Sequence, residues 1–163
     1  MDIKELDKKI VQVKERTPDV FNDVLYLVVP FYLLHQKVFQ GTIKIQEQKY
    51  HISNSEFDVM RCLYMSRSED NILSPTKIYE KLMFTSGAIT KVLKKLEEKE
   101  YIIRLDNKFD KRSKLVQLTP LGHTVCKEVL IDVFAFEEKC FSVLKDKQKA
   151  KLRKLMLKVL EGV

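Results

Sequence analysis

The side chains able to do chemistry form two unlike sets. One is scattered: His35, His51 and His123 lie in separate segments, as do Cys62, Cys126 and Cys140. No serine or cysteine nucleophile stands at a recognisable spacing from a base, as covalent catalysis requires. No glycine-rich phosphate loop or paired metal-ligand motif occurs, so neither an enzyme, a metal site nor a cofactor is expected. The other set is concentrated: Thr85, Ser86, Thr90, Lys91, Lys94 and Lys95 lie close together. Hydroxyl and ammonium donors packed this densely suit the base edges and phosphates of a DNA groove. A solvated helix face would carry the same residues, and spacing alone does not separate the two.

The elements that must position this set are legible on either side. Ile89, Val92, Leu93 and Leu96 recur at i, i+3, i+4 and i+7, which predicts a helix with the polar set opposite its apolar face. Thr85 or Ser86 supplies its cap. A shorter helix precedes it, capped by Ser74, opened by Pro75 and anchored by Ile78 and Leu82, with Met83-Phe84 as the turn between them. Two β-branched and apolar runs follow, 101–105 and 115–118, joined by a charged tip over 106–114. Ile72-Leu73 is long enough for a third, short strand beside them. Two helices followed by strand, tip and strand describe a winged helix-turn-helix. The fold class expected is mainly α with a small β wing on a helical dimerisation base.

Here the chain resembles a known family. The run Arg104…Asp110-Lys111-Arg112-Ser113…Val116-Gln117-Leu118-Thr119-Pro120…Gly122 is similar to the wing signature of the MarR family of bacterial transcription regulators. SGAITKVLKKLEEK, residues 86–99, is similar to that family's recognition helix, and the helix order matches from about residue 18 onward. The resemblance implies a homodimer on a pseudo-palindromic operator, acting as a repressor released by a small ligand. Two recognition helices would enter successive major grooves about 34–36 Å apart, with each wing in the flanking minor groove. Thr85, Ser86, Thr90 and Lys91 are best placed for base edges, and Lys77, Lys94, Lys95 and Lys114 for phosphates. The family motif sends Arg112 into the minor groove, with Asp110 holding its loop. Relatives often take small aromatic or phenolic anions, and Tyr26, Tyr32 and His35 are the candidates to line such a cleft, although residues of an apolar helix are more often core. Some relatives sense oxidants through a thiol near the N-terminus, but no cysteine precedes Cys62 here. All three cysteines therefore read first as core residues. A redox regulator acting through a thiol such as Cys62 is one alternative, and a winged helix that docks an acidic protein is another. The family commonly has glycine where this chain has Glu100, so the recognition helix is expected to end differently.

Totals agree with an anionic partner. The 163 residues carry a net charge of +7, and from 77 to 114 eleven Lys/Arg face six Asp/Glu, which places five of the seven excess charges on the wing and its helices. Four glycines and four prolines leave room for few loops. The charged start lacks a signal peptide, and the apolar run 24–34 is too short to span a bilayer, so a cytoplasmic protein without membrane contact is expected. An odd number of cysteines, three, builds no disulfide framework.

The remaining segments divide the chain at 1–17, 18–52, 53–118 and 119–163, intertwined overall. Ile3, Leu6, Ile10 and Val13 predict an amphipathic first helix, which Thr17-Pro18 ends while starting the next, from about 19 to 50. Its middle, VLYLVVPFYLL, is apolar on every side and calls for cover by a second copy. Pro30 predicts a kink, and a break is expected between Phe39 and Ile43, beside Gly41. Ser53 and Glu56 form a capping box ahead of a core face of Phe57, Met60, Leu63 and Tyr64. Thr119-Pro120 opens a long helix with Val125, Val129, Val133 and Phe136 on its apolar side; a charged connection at 145–149 leads to a last helix marked by Leu152, Leu155, Met156, Val159 and Leu160.

Overall fold

The computed structural model describes residues 5–66, 71–107 and 114–162, apart from the Ser86 side chain. The chain divides into two compact units, residues 1–41 and 42–163.

In the first unit, α1 (Leu6–Arg16) buries Ile10. Thr17 ends it, because its amide and its hydroxyl both donate to the Val13 carbonyl, at 2.9 and 2.8 Å. That hydroxyl faces backward and cannot cap the next helix. Asn22 makes a local turn ahead of the next helix, its Oδ1 accepting from the Val24 amide at 2.9 Å, and α2 (Leu25–Tyr50) starts six residues later than the expected Asp19. The expected break between Phe39 and Ile43 is absent: α2 is continuous through Pro30 and Gly41, and its last turns belong to the second unit.

The second unit continues with α3 (Asn54–Tyr64), β1 (Ile72–Leu73), α4 (Pro75–Leu82), α5 (Ser86–Glu98), β2 (Ile102–Asp106), β3 (Lys114–Leu118), α6 (Pro120–Phe141) and α7 (Asp146–Leu160). The capping box forms as expected, with the Glu56 amide on Ser53 Oγ and the Ser53 amide on Glu56 Oε2. Ser74 caps α4 and Thr119 caps α6, each followed by proline in the first turn. The sheet is antiparallel in the order β1-β3-β2, so Ile72-Leu73 is indeed the third strand. Val116 and Leu118 alternate inward on β3 and meet Ile102, Leu93, Leu96, Ile78 and Met60 in one core. The terminal turns of α2 are pinned to α6, where Lys49 Nζ and Tyr50 Oη donate to Asp132 Oδ2 at 2.5 and 2.6 Å. The charged connection is shorter than expected: Asp146 already opens α7, since Gln148 Oε1 reaches back to the Lys145 amide at 2.8 Å.

Candidate nucleic-acid interface

The short helix α4 ends at Met83, a left-handed residue (φ 56°) that turns the chain into α5. Thr85 rather than Ser86 is the N-cap, its Oγ1 accepting from the Ala88 amide at 3.3 Å. Ile89, Leu93 and Leu96 are fully buried, and that fixes the rotation of the helix about its axis. With those three facing in, Thr90, Lys91, Lys94 and Lys95 must face out, and all four are exposed. Thr85 and Lys77 are exposed as well. Lys94 keeps only a loose i, i+4 approach to Glu98, 3.8 Å, which leaves its ammonium free to exchange partners. Among the described residues, nothing lies within 4 Å of a Cβ added at Gly87, so they leave the first turn of α5 open to an incoming partner.

The far end of α5 is locked. Lys99 Nζ donates to the buried Glu56 carboxylate at 2.7 Å and to the His51 carbonyl at 2.8 Å, tying the exit of the helix to the cap of α3. Burial of Glu56 opposes its charge, but the Lys99 ammonium and the Ser53 donors outweigh it and hold its carboxyl below the usual range. The helix then ends in a Schellman turn, with Glu100 N on Glu97 O (3.0 Å) and Tyr101 N on Leu96 O (2.9 Å). This corrects the expectation for Glu100: it takes the left-handed conformation, φ 59°, that glycine would adopt more cheaply. The reason is tertiary, since Thr119 and Tyr101 grip the same turn, with the Thr119 amide on Tyr101 O at 3.0 Å.

On the wing, Lys114 and Asp106 are the last ladder partners described and form an ion pair, so the expected tip is shorter by one residue at each end. Lys114, named above for a phosphate contact, thus already has a partner. Asp110 and Arg112 lie outside the described residues. Another contact without a signal in the sequence lies here: Arg104 Nε donates to Glu97 Oε2 at 3.1 Å, joining β2 to α5. Neither residue is on an apolar face, so periodicity gives no signal for the pair.

The other expected sites fare differently. Tyr26, Tyr32 and His35 are all exposed on α2 within the first unit, where His35 stacks on Phe39 with ring centres 5.8 Å apart. A shallow open depression of the second unit is lined by Lys44, Ile45, Gln48, Lys49 and Asp132, none of them among those three. Cys126 is fully buried in the core, and burial pushes its thiol up to about 12. Burial also raises the Cys62 thiol, which Lys81 and Arg61 offset only in part. Both environments favour the thiol over the thiolate that reacts with oxidants. Among the described residues, no group of three or more His, Cys, Asp or Glu is placed to hold a metal ion, and no helix is long and apolar enough to cross a membrane.

Comparison with known proteins agrees with this geometry. The model of the MarR family matches residues 52–114, from the approach to α3 to the start of β3. The HTH-type transcriptional regulator PapX of Escherichia coli is 30% identical over 118 residues, covering 72% of this chain and 71% of that protein. The multiple antibiotic resistance protein MarR of Salmonella typhimurium is 30% identical over 112 residues, 69% of this chain and 74% of its own length. Among solved structures, a cysteine-to-serine mutant of Escherichia coli MarR complexed with operator DNA superposes with a TM-score of 0.67 at 26% identity, covering 87% of this chain and 99% of that one. With the winged helix-turn-helix in place and relatives at this identity matched over more than two thirds of their length, the chain belongs to the MarR family and is a DNA-binding transcription regulator, not an enzyme.

Proposed function

We propose that the chain works as a homodimer on a pseudo-palindromic operator, as a repressor released by a small aromatic ligand. The observation that carries the DNA contact is the outward face of α5, where Thr90, Lys91, Lys94 and Lys95 are exposed opposite a fully buried apolar face. Thr85, Ser86, Thr90 and Lys91 read base edges. Lys77, Lys94 and Lys95 hold phosphates, and Lys114 joins them only by leaving Asp106. Arg112 enters the minor groove from the wing, where a narrow A·T-rich stretch concentrates negative potential, and Asp110 holds its loop.

Dimerisation is supported by apolar surface that a lone chain leaves in water: Leu27, Phe31 and Tyr32 in the first unit, Leu155, Val159 and Leu160 on α7, each more than half exposed. Two copies place two α5 helices in successive major grooves, which suits a two-fold site. A ligand taken up beside Tyr26, Tyr32 and His35 would then shift the spacing of those helices. A gel shift tests the whole reading. It uses a duplex selected by the protein from a random library, at two salt concentrations, with and without salicylate or peroxide. Binding that is lost with salt and with salicylate, but not with peroxide, is the expected result. Release by peroxide alone would favour the thiol alternative.

A further inference from the structure

Glu97 and Arg104 meet where the recognition helix hands over to the wing, with Arg104 Nε donating to Glu97 Oε2 at 3.1 Å. Each has a reason to need the other. Glu97 lies in the last turn of α5, where the negative end of the helix dipole disfavours a carboxylate. Arg104 sits mid-strand on β2 opposite Val116, so its backbone is held by the ladder while its head reaches back to the helix. Its side chain is only about one-third exposed, at 30%, compared with 76% for Lys94.

A cation beside a DNA-binding helix would ordinarily be counted as a phosphate contact. We propose instead that Arg104 is a positioning residue, which with Glu97 sets the angle between the recognition helix and the wing. This rests on α5 and the wing being the DNA interface, as proposed above. The pair matters because base reading and minor-groove insertion must happen together on one duplex. A helix and wing that rock against each other still bind phosphates but lose the match to a particular sequence.

Phosphate contact and positioning differ in what they predict for Glu97. If Arg104 held a phosphate, removing Glu97 would delete a repulsive carboxylate and free the guanidinium, tightening every duplex alike. If the pair positions, removing either partner lowers the preference for the right sequence. The experiment measures affinities of the full chain for a duplex selected by the wild type and for a scrambled duplex of the same composition. Arg104→Ala and Glu97→Ala should each lower the ratio of the two affinities by about threefold, the scale of an exposed ion pair. The exchange Arg104→Glu with Glu97→Arg should restore the ratio to within about twofold, while circular dichroism shows the fold intact. An unchanged ratio in both single variants, or no recovery in the exchange, overturns the proposal. Lys95→Ala serves as the control: if it weakens neither duplex, the interface itself is misassigned and the pair falls with it. If it weakens both while Glu97→Ala leaves the ratio unchanged, only the positioning role is wrong.

Discussion

The Thr119 hydroxyl donates to the Glu100 carbonyl at 2.7 Å and accepts from the Gly122 amide at 2.9 Å, so the cap of α6 also fastens the exit of the recognition helix. Glycine is required at 122, because a Cβ there would lie 2.0 Å from the Tyr101 carbonyl oxygen. The grip keeps Glu100 left-handed at φ 59°. Glu100→Gly should relieve that strain and raise stability by about 1 kcal/mol, read as a higher urea midpoint at unchanged m. A lower midpoint would mean that the Glu100 side chain holds the turn in some other way.

The Glu56–Lys99 link should make stability depend on pH. The Glu56 carboxyl is held below its ordinary value, so its contribution is complete above the unfolded glutamate pKa, about 4.3, and is lost as pH falls through the lower folded value. Wild type should therefore exceed Glu56→Gln in stability at pH 7 and lose that lead progressively below about pH 4. Urea titrations of both proteins at several pH values check this. A lead that is constant down to pH 3 would exclude the carboxylate as its source.

Much of this was legible in the sequence, and what was not has a common cause. Ser53 with Glu56, Ser74 with Pro75 and Thr119 with Pro120 are local signals, and each cap forms where the residues say. Ile89, Leu93 and Leu96 gave the rotation of α5 by periodicity alone. Thr17-Pro18 misled because two local options competed, and the Thr17 hydroxyl chose the helix behind it. Lys99 on Glu56, Arg104 on Glu97 and Thr119 on Glu100 join residues that only the fold brings together. Those three contacts hold the two ends of this segment in place, so the sequence shows which residues of α5 face outward more readily than what holds them there.

The thiols should behave as packing. Cys126 is buried with its thiol raised to about 12, and Cys62 is raised in the same direction. Both should resist a disulfide-exchange reagent at pH 8 in the native protein and react once it is unfolded in urea. Cys126→Ser should cost about 1–3 kcal/mol, for a hydroxyl buried without its water, and leave DNA binding intact. Rapid native-state reaction at Cys62 would reopen the redox alternative.

Gly87 separates stability from binding. Alanine there meets nothing among the described residues and removes a flexible residue from the first turn of α5, so Gly87→Ala should stabilise by about 0.4–1 kcal/mol. The same methyl would stand between the helix start and a closely approached duplex, so affinity should fall while stability rises. A rise in stability with affinity unchanged would move that turn away from the DNA.

The measurement that bears most directly on the recognition helix is the salt dependence of binding. Lys91 and Lys95 are exposed on the outward face of α5, and each phosphate contact releases counterions on binding. The slope of log affinity against log salt should flatten by about 0.9 per contact removed, hence by about 1.8 in the Lys91→Ala, Lys95→Ala double variant if both touch phosphate, and by about 0.9 if Lys91 reads a base. A double variant that folds normally and keeps the wild-type slope would contradict the assignment of this face to DNA.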